Sequence, residues 1–172
     1  MITLKNTALN TGLFLLLLIN GISSGQQTET YFKPGVEPNG FRGIEWGQSF
    51  DSVPDMEFIK TEPSDGDISV YSRKNDRLQI GYVELEKIEY CFWKNRFYKA
   101  VIYTKGFGNW KGLQESTFER FGRGFQPESK KEEYAWFGNK ARMILIYDDE
   151  TTQGVLTIFS KEISVLQQQH DW

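Results

Sequence analysis

One cysteine, Cys91, and one histidine, His170, are all that the 172-residue chain has of either type. A lone thiol closes no disulfide within the monomer, so the core alone must hold the fold. Zinc sites of the usual kind need several Cys and His ligands, and Ser-His-Asp or Cys-His catalysis needs a firmly held imidazole. His170, at the end of Gln167-Gln168-Gln169-His170, is placed for neither. Gly106-Phe107-Gly108 lacks the spacing and the following Lys-Ser/Thr of a phosphate-cradling loop. The sequence therefore implies no catalytic centre, no metal and no cofactor. A basic excess is missing too, with 20 Lys and Arg against 23 Asp and Glu, which argues against nucleic-acid binding.

The first acid is Glu29, and the residues before it are ordered in a telling way. Lys5 precedes an apolar run from Ala8 to Ile19, and small and polar residues follow, Asn20-Gly21-Ile22-Ser23-Ser24-Gly25. Positive, then apolar, then small is the layout of a secretory signal peptide. The run is interrupted by Asn10, Thr11 and Gly12 and is shorter than the roughly 20 residues that span a bilayer. We therefore expect residues 1–25 to be a signal peptide cleaved after Gly25, leaving a periplasmic protein with no transmembrane anchor. Removing Lys5 leaves 19 basic and 23 acidic residues, a net charge of −4. Residues 26–40, with Pro34, Gly35, Pro38 and Gly40, are expected to be a flexible leader, and residues 41–172 a single domain.

Within that domain, Ser49 and Asp51 signal a helix that Pro54 keeps to one or two turns. Residues 68–71 and 78–82 flank the turn-rich Lys74-Asn75-Asp76-Arg77, which predicts a hairpin. Ile88, Tyr90 and Phe92 alternate with Glu89, Cys91 and Trp93. A three-residue loop, Lys94-Asn95-Arg96, would set them opposite Ile102, Ala100 and Tyr98. Trp110, Leu113, Thr117 and Phe121 form one helical stripe, capped by Asn109 and stopped by Gly122. Gly112 lets that helix approach a strand. Strands at 133–137, 142–147 and 155–159 follow, then a short helix capped by Ser160 and carrying Ile163 and Leu166. The order predicts an α+β fold: a mainly antiparallel sheet with helices packed on it, arranged as two helix-then-strands halves.

The stretch Phe41-Arg42-Gly43-Ile44-Glu45-Trp46-Gly47-Gln48-Ser49, together with Phe92-Trp93-Lys94-Asn95-Arg96-Phe97-Tyr98 and Phe121-Gly122, resembles a group of small exported bacterial proteins of unknown function. More remotely, the halves are similar to the β-lactamase-inhibitor-protein fold and to outer-membrane-assembly lipoproteins of the SmpA/OmlA type. The chain departs from the lipoproteins in lacking a lipidated Cys. The resemblance implies a binding or assembly role in the cell envelope and brings no catalytic residues.

Two candidate functions follow. Between Lys94 and Lys111 there are five basic residues and no acid, interleaved with aromatics. Arg96, Lys99, Lys105, Trp110 and Lys111 form the candidate binding patch, a docking surface for an anionic envelope component or another envelope protein. The bland alternative is the solvated face of a hairpin. The enzymatic alternative is a carboxylate-dependent hydrolase of envelope glycans, for which Asp148-Asp149-Glu150 supplies the acids. Cys91, with Lys99 as its expected cross-strand neighbour, is either a reactive thiol or a small buried hydrophobe. N-terminal sequencing of protein from its native envelope should begin at or near Gln26. An intact Met1 in carbonate-resistant membranes would mean that the apolar run is an anchor.

Overall fold

The computed structural model describes residues 31–62 and 68–170. Residues 1–25, the expected signal peptide, and residues 26–30 of the expected leader lie outside the described residues. The fold is α+β. A tight ribbon, β1 (Gly40–Phe41) and β2 (Ile44–Glu45), precedes a 3-10 turn at Phe50–Ser52. Strands β3 (Met56–Glu62) and β4 (Ile68–Arg73) come next, then a second ribbon, β5 (Gln79–Ile80) and β6 (Val83–Glu84). Strands β7 (Lys87–Trp93) and β8 (Arg96–Lys105) lead into helix α1 (Phe107–Phe121). Strands β9 (Glu133–Phe137), β10 (Ala141–Asp148) and β11 (Gln153–Ser160) and helix α2 (Lys161–His170) complete the domain.

Seven strands form one antiparallel sheet in the order β3-β4-β7-β8-β11-β10-β9. The central pairing of β8 with β11 joins an N-terminal group of four strands to a C-terminal group of three. Only the second group is preceded by a true helix; before the first there is just the 3-10 turn, where Ser49 makes no capping bond to the backbone. The inner face carries Tyr90, Phe92, Phe97, Ile102, Leu145 and Leu156, and α1 closes it with Trp110, Leu113 and Phe121. A smaller cluster, with Ile68, Val70, Cys91 and Trp93, lies on the outer face and includes Ile163 of α2. Ser160 caps α2, its hydroxyl accepting the Ile163 N–H at 3.3 Å.

The β7–β8 hairpin shows how register is set. Lys94 and Asn95 both take positive φ, 47° and 64°, as a two-residue type I′ turn requires. That turn pairs Trp93 with Arg96 and Phe92 with Phe97, so Phe92 does not face Tyr98 as the sequence suggests. A bulge between Cys91 and Phe92 then restores the expected pairs, Tyr90 with Ala100 and Ile88 with Ile102. Tyr98 is thereby moved to the outer cluster.

Three other expectations need correction. Residues 68–71 and 78–82 do not form a hairpin. β4 pairs with β3 and β7, and β5 pairs with β6 in a ribbon of its own. Strand β3 went unrecognised because its residues are mostly exposed and show no clean alternation. Residues 31–40 are no loose leader: Phe32 is buried, the Lys33 N–H donates to the Phe121 carbonyl at 2.8 Å, and the Tyr31 N–H donates to Phe137.

Two glycines let α1 dock. A Cβ on Gly112 would stand 2.7 Å from Val83 Cγ2, so the β5–β6 ribbon lies directly against the helix. A Cβ on Gly154 would stand 2.2 Å from Trp110 Cδ1 and 2.4 Å from Thr104 Oγ1, so the indole rests on bare strand backbone. Asn109 does not cap the helix; Gly106 holds that position, and Asn109 Oδ1 accepts the Glu84 N–H instead. Gly154→Ala should destabilise by about 1–3 kcal/mol or more, as overpacking does. Phe92→Ala should cost about 3–5 kcal/mol. Denaturant midpoints check both.

Candidate functional site

The Phe41-to-Ser49 motif builds a roof. Arg42 at φ 48° and Gly43 at φ 82° make the tight turn between β1 and β2. A non-glycine residue in the left-handed region costs about 1 kcal/mol, and Arg42 is held there by its own side chain. Its guanidinium pairs with Asp76 and donates to the carbonyls of Arg77 and Gln79, at 2.6 and 3.0 Å. Asp76 also accepts the Tyr90 hydroxyl at 2.5 Å, which ties the roof to the sheet. Burial, followed by the Asp76 carboxylate, raises the Tyr90 phenol well above its ordinary pKa. Trp46 stacks on Phe97 with ring centres 5.2 Å apart and donates to the Pro38 carbonyl. Gly47 and Gln48 then bond to both sides of Phe97, extending the sheet beside β8 where β11 has ended.

Beneath this roof runs a cleft of about 610 Å³, lined by residues 35–43, the C-terminal half of α1 and strand β11. Its volume is that of a small-molecule site. Leu113, Phe121, Leu156 and Ile158 supply an apolar floor. Arg42 and Arg120 bring two guanidinium groups to the lining, with Ser116 beside them. Arg42 is fully committed to the roof. Arg120 is exposed, lies 5.1 Å from the Phe121 ring centre, and makes no ion pair among the described residues. The single carboxylate of the lining, Glu37, accepts the backbone N–H groups of Lys140 and Ala141, at 2.5 and 2.9 Å.

The patch expected from the sequence is not gathered into one surface. Trp110 is completely buried, with 0% exposure, between α1 and the sheet. Its indole N–H is a buried donor without a partner among the described residues. Lys99, which a docking surface would need in solvent, has a side chain only 20% exposed that meets Glu62 at 3.6 Å on the outer face. Lys105 donates to the Thr151 carbonyl at the end of β8, and Lys111 to Gln114 on α1. Arg96 sits at the opposite end of β8, 3.9 Å from Glu162. The bulge and the helix turn send these residues in different directions, which spacing along the chain does not reveal. Nor did the sequence mark the cleft: residues 35–40 of its lining read as part of a Pro- and Gly-rich leader, and nothing local singles out Arg120.

The acids also settle into structural roles. Asp148 Oδ1 accepts the N–H groups of Glu150 and Thr151, and these bonds, Thr151 first, lower its pKa. It is a turn-forming acid remote from the cleft lining. No group of three or more His, Cys, Asp or Glu residues among those described is arranged to hold a metal. Cys91 is paired with Lys99 as expected, but burial pushes its thiol up to about 12, so it stays protonated and inert. Glu89 is 5% exposed and accepts from Lys87 at 2.6 Å and from the Tyr103 hydroxyl at 3.0 Å.

Comparisons with known families, curated proteins and solved structures match nothing to this chain.

The outer-face charges give a pH signature. Burial alone would raise the Glu62 carboxyl, but Lys99 and Lys60 beside it bring its pKa below the ordinary value. Burial likewise works against the Lys99 ammonium, and the Glu62 carboxylate beside it works in its favour. The stability contributed by Glu62 is therefore present above about pH 4.5 and is lost as pH falls through the lowered folded value. Glu62→Gln should cost on the order of 1 kcal/mol near neutral pH and nothing once both carboxyl states are protonated. Urea unfolding of both proteins across that range measures the convergence. Glu89→Ala, which strands the Tyr103 hydroxyl, should cost about 1–3 kcal/mol.

Proposed function

We propose that this chain is an exported, extracytoplasmic binding domain whose cleft takes a small amphiphilic ligand with an apolar body and an anionic end. The observation that carries the reading is the pairing of an apolar floor with Arg120, which makes no ion pair among the described residues, in the lining of a 610 Å³ cleft. The floor residues Leu113, Phe121, Leu156 and Ile158 suit a hydrocarbon or ring system. Arg120 suits a carboxylate, sulfonate or phosphate, which its planar donor fork can grip by two bonds. The reading keeps the anionic partner expected from the sequence but assigns it to a different set of residues.

The hydrolase alternative draws no support from the same geometry. An acid pair must flank the bond to be cleaved, whereas Glu37 is the lone acid of the lining and is already bound to two backbone amides.

Titration with a dansylated fatty acid and with its neutral methyl ester tests the proposal. The acid should bind with micromolar affinity and the ester more weakly. Arg120→Glu should weaken the acid about tenfold, the scale of one charge-assisted contact. Lys105→Glu, at the far end of β8, should leave binding unchanged. Equal binding of acid and ester, or insensitivity to Arg120→Glu, would remove the reading.

A further inference from the structure

The two edges of the sheet are finished differently. At the β9 edge, Phe125 and Ala135 exchange both backbone hydrogen bonds at 2.8 Å, and the Tyr31 N–H donates to the Phe137 carbonyl. That edge is capped by the chain itself. At the other edge, β3 pairs with β4 alone among the described residues, so the backbone donors and acceptors on its outward side form a free row. Phe58 and Ile59 lie side by side on it, 61% and 44% exposed. A bare edge with exposed apolar side chains is a template for another strand.

The bulge in β3 determines which strand fits. Its register shift falls between Phe58 and Lys60, leaving Ile59 as the extra residue. Glu57 lies opposite Ser72 and Lys60 opposite Val70, two positions apart in β4, so Glu57 and Lys60 point to the same sheet face. Without the bulge, residues three apart would point to opposite faces. Residues directly opposed in an antiparallel pair share a face. Two copies of β3 related by a two-fold axis can therefore set Glu57 against the partner's Lys60, and Lys60 against the partner's Glu57. The same alignment sets Phe58 against the partner's Ile59 and Met56 against the partner's Thr61. The neighbouring face-consistent alignment would oppose Glu57 to the partner's Glu62, two like charges. Lys60 and Glu57 are about half-exposed, each in a loose ion pair with Glu62 or Lys74, and so are free to exchange partners.

We infer that β3 is a self-complementary docking edge, through which two copies of this chain join antiparallel into one continuous sheet. The lysine and the bulge, which usually blunt an edge, here select a single register. This surface is separate from the cleft.

Sedimentation of the purified protein across the micromolar range tests the inference. A reversible monomer–dimer equilibrium is expected. Glu57→Lys and Lys60→Glu should each weaken association about tenfold, because each places like charges in opposition twice over. The double exchange, Glu57→Lys with Lys60→Glu, should restore it. Lys60→Gln serves as a milder second variant, and thermal melts confirm that all of them fold. A protein monomeric throughout, a dimer indifferent to the single reversals, or a double exchange that fails to recover would each overturn the inference. So would outward-pointing β3 amides, those not bonded to β4, that resist hydrogen exchange in the most dilute sample, since the edge would then be covered by the chain's own residues.

Discussion

The seating of Trp110 on Gly154 is the contact from which the rest of the inner layer is arranged. An indole can lie on a strand only where the strand has no side chain, and Gly154 supplies that place in β11. The contact fixes the first turn of α1 against the middle of the sheet, and Gly112 one half-turn on receives the β5–β6 ribbon. Packing is closest there. Toward its C-terminal end the helix leaves room between itself and the N-terminal segment, and that room is the cleft. A tight end and an open end on one helix are thus two results of where the small residues fall.

The roof and the outer face follow different logic. The roof spends backbone strain at Arg42 and recovers it through three acceptors, so its position depends on the Asp76 loop as much as on its own sequence. The outer face holds partly and fully buried carboxylates in complementary sets. Glu62 lies between Lys60 and Lys99, and Glu89 between Lys87 and Tyr103. A buried carboxylate with two donors is tolerated where one without them would not be. Charge on this face therefore specifies strand pairing.

Local rules made much of the fold legible. Helix α1, its stop at Gly122, strands β9 to β11 and the Ser160 cap all announce themselves through periodicity or capping chemistry. The pairs Tyr90–Ala100 and Ile88–Ile102 were readable as well, while Phe92–Phe97 was not, because a bulge and a two-residue turn compensate for one another. Edge strand β3 escaped notice for want of a buried face to pattern it. The cleft escaped because it is made by residues far apart in the chain, and a Pro- and Gly-rich segment looks alike whether it is loose or packed. Lys99 illustrates the same gap: alternation placed it on the correct face, but nothing local revealed that Glu62 would be waiting there.

The N-terminal segment carries one more consequence, which concerns time. Tyr31, Lys33 and Glu37 find their hydrogen-bond partners at Phe137, Phe121, Lys140 and Ala141, roughly a hundred residues downstream. Contacts so distant in sequence form late, because the long loop must close before it yields any stabilisation. For a chain that emerges N-terminus first, the leading segment has nothing to fold against until nearly all the rest has followed. The four N-terminal strands can pair early, the three C-terminal strands complete the sheet, and only then does the first segment lie down across the helix. Of the described residues, those synthesised first are thus the last to become structured.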